Sequence, residues 1–270
     1  MSNKYIGIFD SGLGGVSVIK YLKEYLPNEN IVFLADYKNC PYGSKSKEQL
    51  LEIVKKNISF INQFDLKAVA VACNTADGVA GNMIEDYFNL PVSRIIRPTC
   101  QEALNQTSNK RIGVIATKAC IDSGEYQKTL KDLDKNAMIF PLATPALVTL
   151  VESKKYTIEC EDTVETLKDY LDNFKGTGID TLILGCTHYD LLKDICKSLL
   201  KDVNIVSSSK CVADFTLKHL NDLSSEKVIE NSLLQLTSKN LMNLVHIFLM
   251  KKLILLSFNP LWDFLFMSIR

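Results

Sequence analysis

Two short apolar runs constrain the fold of this chain more than any other feature. Ala-Val-Ala-Val-Ala (residues 68–72) leads into Cys73, and Thr-Leu-Ile-Leu-Gly (181–185) leads into Cys186. Each run is too short for a helix and reads as a buried strand. Each cysteine is followed by small hydrogen-bonding residues and then by a helical pattern. The carboxyl end of a parallel strand is where open α/β sheets place ligand-contacting groups. Two thiols delivered in the same way from two halves of a chain predict one shared site with a sulfur on each side. Such a pair suits taking a proton off one face of a carbon and returning one to the other face.

The remaining pattern agrees with that architecture. Strands are expected at 5–9, 31–35, 68–72, 92–96, 112–116 and 181–184. Helices are expected at 16–26, 48–64, 121–133, 146–151, 158–174 and 191–200, with a further helical stretch between 96 and 112. Strands alternating with helices imply an α/β fold with mostly parallel sheets and helices on both faces. The repeated cysteine unit predicts two similar Rossmann-like domains facing each other across a cleft. Their expected bounds are 1–97 plus 207–270 for a discontinuous first domain, which includes the C-terminal tail, and 98–206 for the second. The tail from 241 to 270 is strongly apolar, but Lys251, Lys252 and Pro260 interrupt it. A membrane span needs about 20 uninterrupted apolar residues, so the tail is expected to pack on the body or on a partner subunit.

Composition narrows the function classes. The chain has 270 residues with 31 Lys+Arg against 31 Asp+Glu, for a formal net charge of zero. Scattered cations without a net excess argue against nucleic acid or a membrane surface as the partner. The first residues run directly into a strand and show no signal peptide. The eight cysteines are widely spaced and contain no CxxC pair. They read as reduced thiols of a cytoplasmic protein. Cys100, Cys120, Cys160, Cys196 and Cys211 read as small core residues or bystanders, and Cys40 sits beside Pro41 in a polar loop.

Asp10-Ser11-Gly12-Leu13-Gly14-Gly15 follows the first strand and opens a helix. One reading is a dinucleotide loop: Gly12, Gly14 and Ser17 approximate the GxGxxG spacing, and Asp36 ends the second strand where a ribose-binding acid sits. The third glycine is missing, and a carboxylate at position 10 is unfavourable where phosphates would approach. The sharper reading turns Asp10 and Ser11 into the cleft and lets the glycine backbone approach a small anionic substrate. In Pro41-Tyr42-Gly43-Ser44, a plain turn stands beside backbone N–H groups holding a carboxylate. For Cys73-Asn74-Thr75 and Cys186-Thr187-His188, the bland reading is two inert buried cysteines. Against it stand the polar residues that follow and the helix N-terminus expected after each sulfur, which lowers a thiol pKa. A zinc reading stays open for Cys186 and His188, although the spacings of structural zinc sites are absent. His219 and His246 read as structural or surface residues. Glu152, at the end of a helix, reads by itself as a solvated charge.

Taken together, these segments resemble the glutamate racemases of the cofactor-independent aspartate/glutamate racemase superfamily. The match runs in order through Ile-Phe-Asp-Ser-Gly-Leu-Gly-Gly, residues 36–44, Ala-Cys-Asn-Thr, Ile-Gly-Val-Ile-Ala-Thr (112–117) and Leu-Gly-Cys-Thr-His-Tyr (184–189). The resemblance implies that Cys73 and Cys186 form the acid/base pair. It implies substrate contacts at Asp10, Ser11, Tyr42, Gly43, Asn74, Thr75, Thr117, Thr187 and His188. It also assigns Asp10 and Glu152 as carboxylates assisting the first cysteine, and His188 as the group assisting the second. It implies glutamate as substrate, no cofactor and no metal, a homodimer, and supply of D-glutamate for peptidoglycan. A racemase for aspartate and a catalytically silent amino-acid-binding homologue are the alternatives. Three positions depart from the pattern: Cys120 replaces a frequent threonine, Asp190 a frequent proline, and the segment 141–148 lacks a usual cysteine before its second proline.

Overall fold

The computed structural model describes residues 4–153, 155–223 and 265–269. Its strands are β1 (Tyr5–Asp10), β2 (Asn30–Ala35), β3 (Leu66–Val71), β4 (Val92–Arg94), β5 (Arg111–Ala116), β6 (Met138–Ala143), β7 (Thr181–Gly185), β8 (Asn204–Ser207) and β9 (Leu265–Ile269). Its helices are α1 (Val16–Tyr25), α2 (Lys47–Ile61), α3 (Asn74–Tyr87), α4 (Ile96–Gln106), α5 (Lys118–Asp122), α6 (Glu125–Leu133), α7 (Pro145–Glu152), α8 (Glu161–Asp172), α9 (Lys193–Leu199) and α10 (Ser208–Leu223). Short 3₁₀ turns cover Leu13–Gly15, Tyr37–Asn39, Tyr42–Ser44 and Thr187–Leu192.

The strands form two sheets, ordered β4-β3-β1-β2-β9 and β6-β5-β7-β8. Within each, four strands are parallel, and β9 adds an antiparallel edge next to β2. Reading each parallel set from its second strand gives the same topology twice: β2-β1-β3-β4 and β6-β5-β7-β8. In both, the strand order reverses between the first and third strands, and ligands bind outside the carboxyl ends at such a reversal. Cys73 and Cys186 follow β3 and β7, the third strand of each sheet. Asp10 ends β1, and Thr117 follows β5.

The apolar patterning explains the layers. A central core joins Ile6, Ile8, Val18 and Leu22 to Ile112, Val114, Ile183 and Val212, so the two sheets share one hydrophobic layer. α10 packs on α1, α4, β3 and β4 and also touches β7. α1 turns Val18, Ile19 and Leu22 inward, each worth ~1.5–3 kcal/mol on burial. α2 and α3 cover the outer face of the first sheet, while α7, α8 and α9 cover that of the second. α2 starts on a capping box between Ser46 and Gln49, which satisfies donors that a helix start leaves free.

Several expectations change. The helix expected over 121–133 is two helices, because Gly124 takes φ +70° between them, a backbone region that favours glycine. The expected helix over 191–200 begins as the 3₁₀ turn Thr187–Leu192 and becomes α-helical only at Lys193. β6, β8 and α10 were not expected. β6 carries Pro141, which reads against a strand, but β6 is the edge of its sheet, where a missing N–H breaks no ladder. Of the apolar tail, β9 lies on the body through its pairing with β2, and the rest falls outside the described residues, His246 included. Among the described residues, no helix is long and apolar enough to cross a membrane.

Candidate active site

The ends of β1, β3, β5 and β7 meet at a cleft of about 320 Å³, its open mouth included. Its walls contain Ser11, Tyr42, Gly43, Cys73, Asn74, Thr75, Thr117, Cys186, Thr187 and His188. Every sequence-derived site residue except Asp10 and Glu152 therefore lines one cavity. Asp10 lies buried directly behind it, and Glu152 touches it through His188. Cys40, Pro41 and Val148 complete the lining. Cys40 had only its proline neighbour as a signal, and Val148 had none beyond a helical pattern.

Cys73 caps α3. Its sulfur accepts the Ala76 N–H at 3.4 Å, and Ser11 reaches it through both its N–H and its hydroxyl. Cys186 ends β7, with His188 Nδ1 3.7 Å from its sulfur. The other His188 nitrogen, Nε2, lies 2.8 Å from Glu152 Oε1. Glu152 thus meets His188, which lies against Cys186; the resemblance assigned Glu152 to the first cysteine. The carboxylate beside the first cysteine is Asp10, whose charge acts on Cys73.

Both thiols are buried, at 4 % and 7 % exposure. Burial pushes Cys73 up to about 12, with the Asp10 charge adding to it and the Ser11 and Ala76 hydrogen bonds opposing it. Burial holds Cys186 well above the ordinary thiol range, against the His188 N–H; the charge of Cys73 adds to the rise. The expected lowering by a helix N-terminus is overridden. Desolvation disfavours the thiolate more than one or two N–H groups favour it, and Cys186 meets a 3₁₀ turn rather than an α-helix. Each sulfur is therefore held as a thiol and is a strong base once ionised.

Asp10 is fully buried. Its Oδ2 accepts the Gly15 N–H and, at 3.3 Å, the Thr187 hydroxyl, while Oδ1 has no partner among the described residues. Burial raises its pKa, and the His188 charge is the largest opposing effect. A carboxylate bonded to the N–H of Gly15 occupies the place a dinucleotide phosphate would take, so the loop is not a nucleotide loop. Gly14 has a packing role. A Cβ on Gly14 would lie 2.9 Å from Thr187 Cβ and 3.0 Å from His188 Nδ1. Gly14 lets the β7 loop close onto the β1 loop.

The loop after β2 is held from behind. The Tyr42 hydroxyl donates to Asp36 at 2.6 Å, and Asn57 donates to both at 3.0 and 2.8 Å. The Tyr42 ring is thus turned away from the cleft, and what the turn Tyr42–Ser44 presents is backbone, whose first N–H groups a helix start leaves free. Gly43 lies against Thr117, since a Cβ there would be 2.7 Å from Thr117 Cβ. Thr117 Oγ1 in turn lies 2.8 Å from Thr75 Oγ1. Cys120 sits behind the wall, its thiol 3.6 Å from the Asn74 carbonyl. Asp190 is turned away from the cleft, toward Ser207 and Ser209. His219 bonds Ser93 at 3.3 Å, packs at a tilt against Phe215 and is not part of the cleft lining. All eight cysteines are free thiols. Among the described residues, no three acidic, His or Cys side chains gather as a metal site.

Residues 18–216 match the Asp/Glu/hydantoin racemase family. The chain belongs to that family. It is 41 % identical over 210 residues to the glutamate racemase of Sulfurihydrogenibium sp. (strain YO3AOP1), covering 77 % of this chain and 80 % of the relative. Among solved structures, glutamate racemase isoform RacE1 from Bacillus anthracis superposes with a TM-score of 0.78 at 36 % identity, over 83 % of each chain. Glutamate racemase from Francisella tularensis subsp. tularensis SCHU S4, solved in complex with D-glutamate, superposes with a TM-score of 0.76 at 28 % identity, over 89 % of this chain and 92 % of that one. In a racemase family, a pair of buried thiols in one cleft has a direct chemical use.

Proposed function

We propose that this chain is a cofactor-independent glutamate racemase that moves the Cα proton between Cys73 and Cys186. The observation that carries this reading is the placement of the two thiols at the same position of two like-wound sheets, opening on one small cleft. Glutamate lies with its Cα between the sulfurs. One cysteine, as thiolate, takes the Cα proton and becomes a thiol. The other, as thiol, gives a proton to the opposite face and becomes a thiolate. The reverse reaction exchanges the roles. A Cα–H is a weak acid, and a thiolate whose pKa is pushed up by burial is a correspondingly strong base. Ionising such a thiol requires a proton acceptor beside it: Asp10 serves Cys73, and His188, held by Glu152, serves Cys186.

Carbanion charge grows on the α-carboxylate as the proton leaves. Donors aimed at it in a water-poor cleft stabilise that charge. Ser11, Thr75, Thr117, Thr187 and the N–H groups at Tyr42 and Gly43 supply such donors, Asn74 holds a substrate carboxylate equally in the ground and transition states, and Asp10 supplies a counter-charge for the ammonium. Closure of 98–206 on 1–97 plus 207–270 excludes water. The enzyme acts as a cytoplasmic homodimer and supplies D-glutamate for peptidoglycan.

The test is L-glutamate in D2O with purified protein and no added cofactor, followed by circular dichroism and mass analysis. Loss of the signal to zero with one deuterium at Cα is the expected result. A persistent signal without deuterium, from folded protein, would sink the reading. L-Aspartate run in parallel reports the aspartate alternative, and gel filtration reports the dimer.

A further inference from the structure

Asn74 lines the cleft, yet both ends of its side-chain amide are held by buried hydroxyls behind it. Tyr126 OH on α6 lies 2.6 Å from Asn74 Oδ1, and Ser208 Oγ on α10 lies 3.1 Å from Nδ2. A hydroxyl can donate or accept, so these contacts alone leave the direction of the amide open. Their lengths decide it. A separation of 2.6 Å belongs to an O–H···O bond, and 3.1 Å to an N–H···O bond. Tyr126 therefore donates to Oδ1, and Nδ2 donates to Ser208. An asparagine amide has two N–H bonds. Ser208 takes one, and the second is left for an acceptor in the cleft.

We propose that Tyr126 is a positioning residue for substrate: its hydroxyl fixes the Asn74 amide so that the remaining Nδ2 hydrogen faces a substrate carboxylate oxygen. This rests on the racemase reading above. Tyr126 is fully buried, and burial holds its phenol well above the ordinary range, so its proton stays available for this bond. Its neighbour on α6 anchors the same helix start a second time. Glu125 pairs with Arg94 at 3.2 Å, and Arg94 pairs with Asp77 on α3 at 2.6 Å. Two successive residues of α6 thus tether the first turn of α3, the turn that Cys73 caps. Without the Tyr126 hydroxyl, Oδ1 loses a partner in a buried site. With no hydroxyl to set its direction and a Ser208 hydroxyl that can donate as well as accept, the amide can turn over, and a turned amide offers a carbonyl to an anion. Ground-state and transition-state carboxylate are then bound equally worse, which raises KM and spares kcat.

The experiment measures racemisation of L- and D-glutamate, and D-glutamate binding by calorimetry, for wild type, Tyr126→Phe, Asn74→Ala and the double variant. Tyr126→Phe is expected to raise KM and the D-glutamate Kd about three- to tenfold, with kcat within about twofold, the scale of one hydrogen bond. In the Asn74→Ala background the same substitution should add nothing, since the two act as one unit. An unchanged KM in Tyr126→Phe, or an equal added loss in the Asn74→Ala background, overturns the inference and leaves the racemase reading standing. Should Tyr126→Phe not fold, Ser208→Ala decides. It keeps the Tyr126 bond, so KM stays within about twofold if Tyr126 sets the amide, and a rise of about tenfold overturns that. Wild-type protein that neither turns over nor binds glutamate removes the racemase reading and this inference together.

Discussion

Glu152 Oε1 lies 2.8 Å from His188 Nε2, and the opposite nitrogen of that ring lies 3.7 Å from the sulfur of Cys186. The carboxylate therefore holds the imidazole in the orientation that faces the thiol. Glu152→Gln keeps the shape and removes the charge. A hydrogen bond to a charged group is worth about 1.5–3 kcal/mol. Turnover is expected to fall about 10- to 100-fold, with little change in the unfolding temperature, as read by steady-state kinetics beside a thermal melt. Wild-type turnover in this variant would exclude a role for the pair in catalysis.

The pairing also has a pH signature. His188 holds Glu152 below its ordinary 4.5. A depressed carboxylate adds stability that is complete above the unfolded value and is lost as pH falls through the folded one. The stability difference between wild type and Glu152→Gln should therefore be lost as pH falls below 4.5. Glu152 is partly exposed, so the difference is small. Urea titrations across that range measure it.

Either cysteine alone handles only one face of Cα. Cys73→Ala and Cys186→Ala are each expected to lower racemisation by at least about 10²–10⁴, the usual contribution of a general acid or base. Near-normal turnover from either variant would rule out a two-thiol transfer.

Burial of Cys73 has an effect at alkaline pH. Its thiol rises from 9.0 to about 12 on folding. The folded state then holds the proton longer, so the stabilisation is complete below pH 9 and is lost as pH climbs toward 12. Cys73→Ser should flatten the decline of stability across that window. Denaturant midpoints at several pH values would show an unchanged slope if the thiol were solvated instead.

Gly14 marks where the β1 and β7 loops touch. An added methyl meets Thr187 Cβ at 2.9 Å and His188 Nδ1 at 3.0 Å. Gly14→Ala is expected to destabilise the fold by about 1–3 kcal/mol and to lower turnover by displacing His188. Gly124→Ala serves as the comparison: it meets no neighbouring atom but is strained by its φ of +70°, so it should cost stability and leave kcat alone.

How much of this was legible in the sequence depends on the range of the interaction involved. Apolar runs of five residues ending in Cys73 and Cys186 mark strands that must be buried, and alternation with helical patterns implies parallel sheets. The polar residues beside each cysteine announced a site, because a core has no use for Asn74, Thr75, Thr187 and His188 in a row. Those signals are local and survive in one dimension. β6 was not read from the sequence, and it tolerates Pro141 because it is an edge strand, which only sheet order decides. The thiol pKa values misled because a helix start is visible in sequence and desolvation is not. Glu152 meets His188 at 2.8 Å across 36 positions, and Tyr126 meets Asn74 across 52. The amino-acid order determined β1 to β5 and β7, the repeated unit around each cysteine and the residues that end those strands, since each follows from neighbours within a few positions. Only the tertiary structure decided that Glu152 meets His188 and that Tyr126 meets Asn74, because distances between segments remote in the chain exist only once the sheets have packed.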